Sequence, residues 1–170
     1  FLEPKHTILH AALEAWASDN LQDIDHDNTD QTCQALVAAL GAAGFLKHTG
    51  VHATFPKIDV RSLCLIRETL ARHDGLADFA FAMQGLGTMA ISLFGSDTQK
   101  TDWLPKVQSG AALSAFALSE PQSGSDVANL QLSAQRNGNG YVLNGEKTWI
   151  SNGGIADVYT VFARTGEAPG

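Results

Sequence analysis

The sequence predicts an α+β chain, with an all-α bundle over residues 1–112 and antiparallel β structure over 113–170. Two observations carry this. Up to Gly110, apolar residues recur at helical spacing between short connections, the mark of helices with one buried face. Beyond Gly110, apolar and polar residues alternate and Asn-Gly pairs supply tight turns, the mark of paired strands.

Pro4 suits a first helical turn, and Ile8, Leu9, Ala12, Leu13 and Trp16 form one stripe behind it. Residues 18–30, with Asp19, Asp23, Asp25, Asp27 and Asp30, read as a solvated connection. Their alternating acids lack the Gly and the closing Glu of a calcium loop. A second helix starts after Thr29 or Asp30, carries Leu36, Val37 and Leu40, and stops at Gly41 and Gly44; Phe45-Leu46 follows as a short apolar link. Asp59 caps a third helix that buries Leu63, Ile66 and Leu70 and ends at Gly75.

The fourth helix, from about Leu76 to Phe94, is longer and apolar, and Phe79, Met83, Leu86, Ala90 and Leu93 are its expected buried stripe. Within it, Gly85-Leu86-Gly87-Thr88-Met89-Ala90 has the letters of a dinucleotide fingerprint. No strand precedes it, so the glycines read instead as points of close packing. Ser96-Asp97-Thr98-Gln99 is a capping box for a fifth helix, which buries Trp103 and Leu104 and ends at Pro105 and Gly110.

In the second part, the apolar run Ala111 to Leu118, broken only by Ser114, is a strand leading into a loop. Leu130, Leu132 and Ala134 alternate with polar residues, Asn137-Gly138-Asn139-Gly140 turns the chain, and Tyr141 to Glu146 starts the partner strand. Trp149-Ile150-Ser151 is expected to continue it, Asn152-Gly153-Gly154 to turn again, and Val158 to Ala163 to form another strand.

Composition sets limits. At 44% hydrophobic and 17% charged, the chain is ordinary globular material, neither fibrous nor disordered. The net charge of −7 divides as −5 over residues 1–113 and −2 over 114–170, with no basic stripe, which argues against nucleic acid and anionic membrane as partners. Cys33 and Cys64 have no close-spaced partner and read as reduced thiols, as in a cytosol-like compartment. No signal peptide or apolar run of about 18 residues is evident, and both ends of the chain read as cut. The pairs His6/His10 and His48/His52 have helical spacing but lack the Glu of a zinc-protease motif, so no metal site is expected; nor is there a Walker A or nucleophile-elbow sequence.

The segment Phe116-Ala117-Leu118-Ser119-Glu120-Pro121-Gln122-Ser123-Gly124-Ser125-Asp126 carries the chemistry. It offers backbone amides at Ser119, Glu120, Gln122, Ser123, Gly124 and Ser125 and three hydroxyls, a loop suited to an oxygen-rich ligand. Together with Lys147-Thr148-Trp149-Ile150-Ser151-Asn152-Gly153, it resembles the flavin-contacting signature of the acyl-CoA dehydrogenases. The resemblance extends over all 170 residues and implies an N-terminal helical domain followed by the first strands of that family's middle antiparallel β-barrel, with the later helical domain absent.

The resemblance also implies roles. FAD would lie along Phe116, Leu118 and Ser119, with backbone amides and the Ser119 hydroxyl donating. Gly124 would admit the pyrophosphate, and Ser125 would bond the flavin phosphates or the acyl-CoA. Trp149, flanked by Ile150, would pack on the ring system, and Ser151 would hydrogen-bond near N5. Neutral fixed donors around a flavin favour the charge that it gains on reduction. The implied reaction is α,β-dehydrogenation of an acyl-CoA thioester, with a base Glu beyond Gly170 and hence no catalytic residue in this chain. Electron-transfer flavoprotein is the implied acceptor, a dimer or tetramer the implied assembly, and bacterial cytoplasm or mitochondrial matrix the implied location.

Ser119 and Ser151 stand where the family often has Thr, and Gln122-Ser123 where it commonly has Gly-Ala. An acyl-CoA oxidase or flavin monooxygenase of the same fold, and a non-catalytic helical interaction module, remain alternatives at this point.

Overall fold

A computed structural model describes residues 1–52 and 57–166 of the chain. Helix α1 spans Pro4–Asn20, and its start is fixed by a reciprocal cap. The Glu3 carboxylate accepts from the His6 amide, and His6 Nδ1 accepts from the Glu3 amide at 2.8 Å. Because Nδ1 accepts, Nε2 carries the proton and donates to Asp59 Oδ2 at 3.0 Å. Asp59 is also the cap of helix α3, Val60–His73, its Oδ1 accepting from Arg61 N at 3.1 Å. The fully buried His6 therefore pins the starts of two helices together. On α1 the buried positions are His6, Leu13 and Ala17, with Leu9 and Trp16 packed against the core. Ile8, expected inside, is 71% exposed, because the buried stripe is too narrow to reach it.

Helix α2, Thr29–Ala42, starts where expected but passes through Gly41. A Cβ there would lie 2.2 Å from the Ser109 carbonyl oxygen, so Gly41 is a contact point for the end of helix α5, Asp97–Gln108. Helix α2 gives way instead to Gly44, at φ +82°, and the chain continues as a 3-10 turn over Phe45–Thr49. Gly75 opens the next helix rather than closing α3. Asp74 caps helix α4, Gly75–Phe94, accepting from Leu76 N at 2.8 Å and Ala77 N at 3.1 Å. On α5 the Ser96/Gln99 capping box forms as read. The helix runs three residues past Pro105 to Gln108, before Gly110 turns the chain at φ +77°. Leu104 is buried, whereas Trp103 is only half-buried and lies under the Lys106 ammonium at 5.0 Å.

Helix α4 is the core of the domain, but it is turned differently from the expectation. The buried residues are Ala77, Ala80, Phe81, Gln84, Gly85, Gly87, Thr88 and Ser92, while Leu86 and Leu93, from the expected stripe, are about half-exposed and Phe79, Met83 and Ala90 intermediate. A helix that is apolar all round does not declare its inner face by hydrophobic period. Here the polar Gln84 settles it. Its amide donates to the Ala112 and Val107 carbonyls at 2.8 and 3.2 Å and accepts from Ser114 N at 2.9 Å, so a buried side chain binds strand β1 (Ser114–Ala117) to the helix. By length and composition α4 is apolar enough to cross a membrane, yet this polar, hydrogen-bonded face packs inside the domain. Gly87 and Gly85 serve packing: a Cβ on Gly87 would lie 2.4 Å from Ser114 Oγ, and one on Gly85 would touch Thr49.

The second part holds two small sheets. Strands β2 (Ser133–Asn137) and β3 (Gly140–Asn144) form the expected antiparallel hairpin, Ser133 opposite Asn144. Strand β1 pairs in parallel with β4 (Val158–Val161), Ser114 opposite Val158. Parallel pairing needs a long crossover, and the chain provides one through the hairpin and the residues after it. Trp149-Ile150-Ser151 does not extend β3. It lies in an irregular segment that ends in a turn, with Gly153 N donating to Ile150 O.

Candidate functional site

Strand β1 carries Phe116 towards the site half-buried, its ring edge-on to Phe162 at 5.0 Å. Past β1, Glu120-Pro121-Gln122-Ser123 closes into a tight turn. Glu120 N donates to Ser123 O at 2.8 Å and Ser123 N to Glu120 O at 3.1 Å, with Pro121 at the position whose fixed φ suits such a turn. Ser123 Oγ is committed to Asp126 O at 2.6 Å. The donors expected from Glu120 and Ser123 are therefore spent inside the loop. The amides of Ser119, Gly124 and Ser125 have no partner within the described chain, nor do the hydroxyls of Ser119, Ser125 and Ser151.

Two segments meet here. Thr148 N donates to Ser119 O at 3.0 Å, and Lys147 Nζ donates to Leu118 O and to Glu120 Oε1, both at 2.8 Å. Ser119 is thereby set beside Trp149, which has φ +53° and is 86% exposed. A bulky residue in the left-handed region is costly and persists only where its surroundings impose it, and such strain gathers at functional sites. Asn152, at φ +60°, donates from its side chain to Ser114 O at 3.2 Å and anchors the far side of the segment to β1. Phe116, Leu118, Ser119, Trp149, Ile150 and Ser151 thus belong to two joined segments. Gly124 and Ser125 stand apart on an exposed loop, with nothing within 4 Å of a Cβ on Gly124.

Glu120 is the most connected group in this region. Its carboxylate is nearly fully buried and accepts from Gln131 N at 2.6 Å, Leu132 N at 2.9 Å, Gln122 Nε2 at 2.7 Å and the Lys147 ammonium. Burial pushes its pKa up, but the Lys147 ammonium and the Gln131 and Leu132 amides more than offset this and lower it to about 2. Gln122 is used as one of these donors.

Sequence reasoning gave Lys147 no role and brought out Glu120 only for its backbone amide. The available signal was an acid and a base, one in each of the two motifs. Flat exposed aromatic surface beside unpaired hydroxyls and amides fits a planar, oxygen-rich cofactor better than a metal ion. Among the described residues no group of three His, Cys, Asp or Glu side chains could hold a metal.

Comparison with known proteins shows the family of the chain. The sequence model "Acyl-CoA dehydrogenase, N-terminal domain" matches residues 3–111, and "Acyl-CoA dehydrogenase, middle domain" matches residues 115–170. A probable acyl-CoA dehydrogenase of Mycobacterium leprae is 35% identical over 167 residues, covering 96% of this chain and 43% of that protein. The very long-chain specific acyl-CoA dehydrogenase of Rattus norvegicus mitochondria is 50% identical over 103 residues, 59% of this chain and 16% of that protein. Among solved structures, a glutaryl-CoA dehydrogenase from Mycobacterium smegmatis in complex with FADH2 superposes with a TM-score of 0.81 at 30% identity, over 96% of this chain and 43% of that one. The chain thus spans less than half the length of these relatives.

Proposed function

The chain belongs to the acyl-CoA dehydrogenase family, and we propose that it supplies the flavin-binding face of an enzyme that α,β-dehydrogenates an acyl-CoA thioester. In this reading residues 1–112 are the N-terminal helical domain and 113–170 the opening of the middle β domain. The observation that carries it is the union of the two motifs: the Thr148–Ser119 bond sets a strained, exposed Trp149 next to unpaired Ser119 donors.

FAD, bound non-covalently, would supply the two-electron acceptor. The residues that would hold it are Phe116, Leu118 and Ser119 along the ring, Trp149 and Ile150 packed on it, Ser151 donating to its edge, and Gly124 and Ser125 at the phosphates, with Ser125 also within the acyl-CoA contact set. Ser119 and Ser151 are suited to this because each keeps a neutral donor free. Such donors favour negative charge developing on the ring without adding a charge of their own. Glu120 is unsuited to abstract the substrate's α-proton, since four donors already occupy its carboxylate. By the family resemblance, the catalytic carboxylate is proposed to lie outside residues 1–170. Electron-transfer flavoprotein is the proposed acceptor, a homo-oligomer the proposed assembly, and bacterial cytoplasm or mitochondrial matrix the proposed location.

The test is anaerobic mixing of the natural polypeptide that carries this chain with acyl-CoAs of several lengths. Loss of the oxidised flavin spectrum, with the enoyl-CoA as product, is the expected result. A flavin that no acyl-CoA reduces would refute the activity.

A further inference from the structure

We infer that Lys147 is a positioning residue for this site, fixing the Leu118–Glu120 segment against Trp149 rather than only neutralising Glu120; the inference rests on the flavin reading above. Its side chain is 9% exposed, and its ammonium divides its bonds between the Glu120 carboxylate and the uncharged Leu118 carbonyl, both at 2.8 Å. Charge compensation would need only the first bond. The second is a positional contact, and the adjacent Thr148 N–H makes another, to Ser119 O at 3.0 Å. Three consecutive residues, Leu118 to Glu120, are thus tied to two consecutive residues, Lys147 and Thr148.

Trp149 is the first residue beyond these ties, and its φ of +53° is imposed by what precedes it together with the Asn152 anchor behind. The lock also reaches the hairpin. Glu120 accepts from the Gln131 and Leu132 amides at the entry to β2, so its carboxylate joins β1, the hairpin and the Trp149 segment in one network. Loosening Lys147 would let the Trp149 face and the Ser119 donors move independently, which a preorganised site does not tolerate.

The experiment compares the natural polypeptide with Lys147→Met and with the double variant Lys147→Met/Glu120→Gln. FAD is titrated into each apoprotein well below its unfolding temperature. The same proteins labelled with fluorotryptophan report Trp149 through its fluorine resonance, identified by its loss in Trp149→Phe. Removing both charges relieves the orphaned buried carboxylate, so the double variant should regain part of the stability lost in Lys147→Met, the donors that a carboxamide cannot accept accounting for the rest. It should nonetheless bind FAD at least about tenfold more weakly than wild type, with the Trp149 resonance shifted or broadened.

A double variant that binds FAD within about twofold of wild type, with the resonance unmoved, would overturn the proposal and leave Lys147 as a counter-ion only. If the wild-type apoprotein binds no FAD, the flavin reading fails by itself, and the fluorine resonance still decides the positioning role. A shift in the double variant sustains that role and an unmoved line rejects it.

Discussion

Glu120→Gln is expected to destabilise the folded protein by about 3–5 kcal/mol, the range for breaking a buried ion pair by removing one partner. The carboxylate receives four donors, and a carboxamide can accept on only one of its two heavy atoms. The substitution would also leave the Lys147 ammonium, 9% exposed, without a counter-charge. An exposed pair provides the control. Arg67 grips Asp78 bidentately at 2.9 and 2.8 Å, yet Arg67 is 54% exposed, and Asp78→Asn should cost less than about 1 kcal/mol.

The effect of Glu120 carries a pH signature. Its folded pKa is depressed from 4.5 to about 2, so its contribution is fully present above pH 4.5 and is lost as pH falls toward 2. Denaturant unfolding of wild type and Glu120→Gln through that window should show the gap between them narrowing as the solution is acidified. A gap independent of pH would mean that the carboxylate's charge is not what Lys147 and the amides hold.

Trp149→Ala should weaken FAD retention by about tenfold or more, an amount in keeping with the loss of one stacked aromatic face. Its effect on the stability of the flavin-free protein should be small, because the side chain is 86% exposed and its left-handed backbone stores strain rather than contacts. Trp103→Ala should do the reverse. That ring is half-buried on α5 beneath Lys106, so truncation costs packing and leaves flavin retention unchanged. Thermal unfolding with and without added FAD separates the two. Equal losses in both variants, with no response to FAD in either, would make Trp149 an ordinary surface residue.

What could be read from the sequence was what is decided locally. The caps at Asp59 and at Ser96/Gln99 and the turn at Asn137–Gly140 are settled within a few residues, and the structure has them where their chemistry calls for them. The inner face of α4 was not legible, because an apolar period gives spacing but not phase; Gln84 chose the phase by bonding to residues 23 to 30 positions away. The same limit hid the parallel β1–β4 pair, whose partners lie 44 residues apart in the chain. At the site, the motif letters brought out Ser119 and Trp149 but not the bonds that join them. Trp149-Ile150-Ser151 has the composition of a strand, and only the ties from Lys147 and Thr148 across to Leu118, Ser119 and Glu120 turn it out of one.

The most direct test of the flavin site is the identity of the chromophore. The natural polypeptide that carries this chain should purify yellow and, on denaturation, release FAD in near-equimolar amount without breaking a covalent bond. Release of a nicotinamide dinucleotide, or of no chromophore from a folded protein that also fails to take up added FAD, would contradict the account.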